Sequence, residues 1–136
     1  MQLSDIIVDP ELIENGGWVR DIPEMDDLEI RVRPITNPKF DRMQTRLVQS
    51  LPRSKKPGGK VDDDEQDRIL SICLLNTCLL DWRNCKDGDN DIPFSPETAK
   101  KFMLEWKYSK FRNAVMYASG VVSDYKVADQ EDAAKN

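Results

Sequence analysis

The chain has no histidine, and its 136 residues include only three cysteines. Without histidine, the side chain whose ordinary pKa sits near neutrality is missing, and with it the usual general base and the usual nitrogen ligand for zinc. Cys73, Cys78 and Cys85 cannot all pair with one another, and their spacing matches no metal-binding pattern. Cys73 and Cys78 fall inside an apolar run, where a free thiol acts as a small buried hydrophobe. No apolar run approaches the roughly 20 residues that a membrane-spanning helix needs. The opening Met1-Gln2-Leu3-Ser4-Asp5 has neither the basic end nor the apolar stretch of a signal peptide. A cytoplasmic protein without a membrane partner is expected.

Catalytic signatures are equally sparse. Gly58-Gly59 lacks the spacing of a phosphate-binding loop and its Lys-Ser/Thr ending. Asp87-Gly88-Asp89-Asn90-Asp91 starts like a calcium loop, but Ile92 stands at the sixth position, where glycine is required, and Thr98 at the twelfth, where a bidentate glutamate is required. A polar turn accounts for that stretch. The remaining carboxylates cluster at turns and helix starts, where solvation and helix dipoles explain them. The expectation is a non-catalytic protein with no metal and no cofactor.

What the chain does contain is enough apolar material for one core, at 39% of residues. We expect a single domain over 1–128, with an irregular N-terminal arm (1–17), an exposed mobile basic loop (53–60) and a polar tail (129–136). Its net charge of −5 conceals two opposed blocks. Residues 1–30 hold nine acids and the single base Arg20, whereas residues 31–60 hold nine bases and the single acid Asp41. Such blocks attract each other within a monomer, join neighbouring copies, or offer a basic patch to nucleic acid. The first is the plainest reading, and for the 53–60 loop simple solvation ranks above a nucleic-acid contact.

In order, Trp18–Ile22 and Leu28–Arg33 predict a β-hairpin. Leu28, Ile30 and Val32 fall on one face and Glu29, Arg31 and Arg33 on the other. A lone hairpin is marginal in water, so helices must cover it or its edge must pair with another chain. Asn37-Pro38 predicts a helix start, and Phe40, Met43, Leu47, Val48 and Leu51 follow at helical spacing. Asp62–Glu65 opens a central core helix whose apolar run is read through Leu79-Leu80. A turn follows, across which Trp82 and Phe94 are expected to pack. Ser95-Pro96-Glu97 starts the next helix, with Ala99, Phe102, Met103 and Trp106 on one stripe. A last helix is expected from Ser109 to about Val127, with Gly120 weakening its middle. The fold class is thus α+β, mainly α, with an N-terminal β-hairpin packed on about four helices. Arg31 and Arg33 are candidates for self-association, and Met103, Trp106, Phe111, Met116 and Tyr117 are candidate protein-contact residues that also suit a core.

Taken in order, Gly17-Trp18-Val19, an acidic turn, Glu29-Ile30-Arg31-Val32-Arg33-Pro34, Leu79-Leu80-Asp81-Trp82, the Asp/Gly turn, Ile92-Pro93-Phe94-Ser95-Pro96-Glu97 and a helical C-terminal third ending Lys135-Asn136 resemble the tail assembly chaperones of long-tailed bacteriophages and prophages. The resemblance spans nearly the whole chain. It implies binding to the long helical tape-measure protein and shielding of that protein until tail-tube subunits polymerise around it. It also implies work in the host bacterial cytoplasm, absence from the finished virion, and cover of a long partner by many copies, for which a homo-oligomer is expected. Two alternatives stay open: a nucleic-acid-binding phage regulator using the basic 31–60 segment, and a structural tail adaptor retained in the virion.

Overall fold

The computed structural model describes residues 1–125. The tail expected at 129–136 lies outside the described residues, and the last helix, expected to reach about Val127, ends at Ser123 with Asp124 as its C-cap. The architecture is α+β and mainly α. The elements run α1 (Pro10–Asn15), β1 (Gly17–Val19), β2 (Glu29–Val32), α2 (Pro38–Gln49), α3 (Asp63–Thr77), β3 (Leu79–Arg83), β4 (Lys86–Asp87), β5 (Asn90–Asp91), α4 (Pro96–Leu104) and α5 (Ser109–Ser123). Strands β1, β2 and β3 form one antiparallel sheet in that order, and β4–β5 is a separate two-residue ladder. Helix α3 packs on α2, α4 and α5, and α5 lies under β1 and β2.

The alternation in β2 places its side chains as expected. Leu28, Ile30 and Val32 are buried, and Glu29, Arg31 and Arg33 are half-buried on the outer face. A hairpin forms, with Trp18 opposite Arg31 and Val19 opposite Ile30, but its first strand is Gly17–Val19 rather than Trp18–Ile22, since the chain leaves the strand at Arg20 and Asp21 takes a φ of +57°. The third strand was not expected. The apolar run that opens as α3 stops at Thr77, and Leu79–Arg83 turns back as a strand along β2. The helix therefore does not continue through Leu79-Leu80. Strand β3 completes the hairpin from within the chain, so β2 is central and needs no strand from another copy.

The outer edges are short and partly occupied. The Tyr125 hydroxyl donates to the Trp18 carbonyl (3.0 Å) on the β1 side, and the Trp82 N–H on the β3 side is taken by the Asp81 side chain (2.8 Å). Edges engaged in this way are poor templates for adding a strand.

The N-terminal arm is less irregular than expected. Asp9 caps α1 by accepting from the Glu11 N–H (2.9 Å), Pro10 occupies its first turn, and Leu12 is buried in the core. The arm turns into β1 through Gly16 at φ +69°, where an added Cβ would lie 2.6 Å from the Val32 carbonyl oxygen. Only glycine fits both the angle and the approach. Leu3, Ile6, Ile7 and Val8 stay exposed.

Asn37 holds the junction between the sheet and α2. Its Oδ1 accepts from the Phe40 N–H (3.1 Å), and its Nδ2 donates to the Pro34 carbonyl (2.6 Å) and toward the Thr77 carbonyl (3.4 Å). One buried side chain thus caps α2 and ties it to the end of α3, and leaving such a group unpaired would cost about 1–3 kcal/mol. Around it, Ile30, Val32, Cys73, Leu74, Cys78, Val115, Ala118 and Val122 form the innermost core.

The 53–60 loop is exposed and consists of two short 3-10 turns. The Lys55 carbonyl accepts from the Asp62 N–H (2.9 Å), and the Lys55 ammonium stands 4.0 Å from Glu65. Gly120 faces open space on α5, and the helix runs through it unbroken.

Candidate functional site

The corner expected to close around Trp82 does so. Ser95 caps α4 by accepting from the Thr98 N–H (3.1 Å), and Pro96 follows at the first turn. The Trp82 indole N–H donates to the Ile92 carbonyl (2.8 Å), and the ring meets Phe94, Phe102 and Phe111 at centroid distances of 4.9, 5.6 and 5.3 Å. Trp82 and Phe111 are buried in this cluster, and Phe94 and Phe102 pack against them partly buried. Phe111 belongs to it and is 9% exposed, and Met103 on α4 is 2% exposed, so both candidate contact residues are mainly core.

Trp106 behaves differently. Helix α4 ends at Leu104, Glu105 is extended (φ −85°, ψ 131°), and Trp106 opens a 3-10 turn that leads into α5. The extended residue rotates Trp106 off the stripe formed by Ala99, Phe102 and Met103. Its ring is 89% exposed, with Leu104 beside it at 41%. Both line a groove of about 460 Å³ between the first half of α3 and the α4–α5 corner, with Ile72 on the opposite wall and Met103 at its base.

The charges on this groove are unevenly matched. Asp67 is paired with Arg112 (3.7 Å), and Arg68 with Glu65 (2.8 Å). Asp64 and Glu105 also line the groove and have no counter-ion among the described residues. The groove therefore carries a net negative rim around an apolar floor.

The other candidates lie elsewhere. Met116 and Tyr117 are 39% and 45% exposed on α5, and Tyr117 borders a shallow depression against Ile22–Met25. Arg31 and Arg33 sit on the outer sheet face, where Arg33 Nε donates to the Glu14 carbonyl (3.0 Å) and the buried Arg31 Nε has no partner among the described residues. On the same face, Glu29 accepts both arms of Arg83 and also faces Arg20 at 3.5 Å. The Arg83 hydrogen bond is the main reason its carboxyl titrates below the ordinary range. Arg83 in turn lies over the Trp18 ring at 4.1 Å. None of the ion pairs among the described residues joins the acidic 1–30 block to the basic 31–60 block.

The sequence reading reached Trp106 but missed the groove around it, because Ile72, Leu104, Asp64 and Glu105 converge only through tertiary packing. Chemically, the groove can hold apolar side chains and attract cations. Burial pushes the thiols of Cys73, Cys78 and Cys85 above their ordinary value, which disfavours the reactive thiolate. Among the described residues, no three His, Cys, Asp or Glu side chains gather as a metal site, and no helix is long and apolar enough to cross a membrane.

Comparison with known families gives a match over most of the chain. The family model described as YdaY prophage protein covers residues 35–136, and the chain belongs to that family. No curated protein and no solved structure matches. The matched region holds α2 through α5, and so the whole Trp106 groove.

Proposed function

We propose that this prophage protein is a non-catalytic tail assembly chaperone. It binds the tape-measure protein, keeps that long helical chain soluble, promotes polymerisation of the tail-tube protein around it in the host bacterial cytoplasm, and leaves before the virion is complete. The observation that carries this reading is Trp106, 89% exposed beside the partly exposed Leu104 on a scaffold whose other corner tryptophan, Trp82, is buried. An indole and a leucine in water on a rigid frame suit a partner's apolar side chains, and binding energy concentrates at such anchors. Prophage membership and the resemblance in motif order supply the setting. A coating role also needs many copies, which the long partner itself can align by offering repeated sites.

Co-expression tests the reading. The product of the prophage's exceptionally long tail gene should move from the insoluble to the soluble fraction when this chain is present, and the two should copurify. A long product that stays insoluble, with no association, removes the chaperone role. Recovery of the chain in purified particles would favour a retained adaptor instead. Steeply salt-dependent binding to oligonucleotides would favour a regulator.

A further inference from the structure

The groove beside Trp106 also constrains what it takes. Its lining is apolar at Ile72, Met103, Leu104 and Trp106, and its two charges without a salt-bridge partner among the described residues, Asp64 and Glu105, are both negative. Lys101 and Lys107 do not line it; their ammonium groups lie over the Tyr108 ring at 5.8 and 5.2 Å. The sheet offers a partner strand little, since Tyr125 and Asp81 already engage its two edges. Strand addition and helix-in-groove docking are two recurring ways of seating a peptide segment. The first is blunted here, and the second matches an apolar trough between helices.

We propose that this groove binds an amphipathic helical segment whose apolar face, at i, i+3/i+4 and i+7, seats against Trp106, Leu104 and Ile72, and whose flanking positions are lysine or arginine. The cations face Asp64 and Glu105 across the rim. This inference rests on the reading of the chain as a protein-binding chaperone, and it adds the partner's charge and secondary structure. It also sets a polarity for the complex: positions bearing Glu or Asp next to the apolar stripe are rejected, because like charges meet in a partly desolvated rim.

The test uses the full chain and two fluorescein-labelled peptides that share one apolar helical face and differ only in flanking Lys or Glu, followed by anisotropy. At low salt the Lys-flanked peptide should bind about tenfold or more tightly than its Glu twin, and the gap should shrink as salt rises. Trp106→Ala should weaken the Lys-flanked peptide by about tenfold or more. Far-UV circular dichroism and the melting temperature should stay unchanged, because the side chain is outside the core. Asp64→Lys combined with Glu105→Lys should reverse the preference. Equal binding of both peptides, indifference to Trp106→Ala, or a preference that survives the double charge reversal would overturn the proposal. So would concentration-dependent dimerisation that buries Trp106, which would make a second copy the occupant. If the peptides behave as expected while the long tail product stays insoluble in co-expression, the groove chemistry stands and the tape-measure assignment falls.

Discussion

Trp82 and Trp106 put the same side chain to opposite uses. Trp82 is 4% exposed, with its N–H satisfied by the Ile92 carbonyl and its ring enclosed by three phenylalanines. Trp106, one helix further along, is 89% exposed and has no core contact of this kind. The first holds the β3–α4 corner together. The second projects from the α4–α5 corner, where Glu105 is extended. Stability and the proposed recognition therefore rest on different aromatic residues, and mutations should separate them.

The largest separation is expected at the two tryptophans themselves. Trp82→Ala should cost about 3–5 kcal/mol in urea denaturation, because it empties a packed site and orphans a carbonyl. That is a large share of the about 5–15 kcal/mol that holds a typical domain together. If Trp106→Ala destabilised the fold as much, the contrast would be wrong. Asn37→Ala should come next, at about 2 kcal/mol, since it removes a helix cap and leaves the Phe40 N–H without its side-chain acceptor in the interior. Gly16→Ala should cost about 1–3 kcal/mol from backbone strain, because its φ of +69° with ψ −174° suits glycine alone.

Glu29 gives a smaller, pH-dependent effect. Its folded pKa lies below the ordinary 4.5, chiefly through the Arg83 hydrogen bond, so its contribution is complete above the unfolded value and disappears as pH falls through the folded one. Glu29→Gln should cost at most about 1 kcal/mol at pH 7, because Arg83 is half exposed and water screens the pair. Urea midpoints of wild type and variant should converge in acid; a gap that widened there would refute the pairing. Smallest of all is the stability effect of Trp106→Ala, expected within about 0.5 kcal/mol.

Much of the closed half of this comparison can be read from residue order. Alternation in Leu28–Val32, the Asn37-Pro38 and Ser95-Pro96 helix starts, and the meeting of Trp82 with Phe94 are local signals, and each appears in the structure. Strand β3 was hidden for a physical reason. Val32 pairs with Leu79 and Arg31 with Asp81, so Leu80 is an extra residue at a register shift and breaks the period of two. Its apolar start also continues the helical run of α3 without a break, and a short buried strand is not distinguishable from buried helix by periodicity alone.

The open half is less legible. Helical spacing puts Trp106 on the stripe of Phe102 and Met103, but one extended residue, Glu105, turns it outward. Nothing in residues 99–106 signals that break, since Leu104-Glu105-Trp106 contains neither glycine nor proline. The same spacing made Met103 and Phe111 candidates for contact, and both are core. The groove walls come from α3 and from the α4–α5 corner, far apart in the chain, so a stripe on one helix could not reveal them.

Tryptophan oxidation footprinting separates the exposed indole from the buried one in a single experiment. The chain is compared free and in complex with the long tail protein, and labelling at each tryptophan is read by mass spectrometry. Trp106 should react readily in the free chain and be protected in the complex, while Trp82 stays protected in both. A complex in which Trp106 reacts as fast as in the free chain would contradict the account.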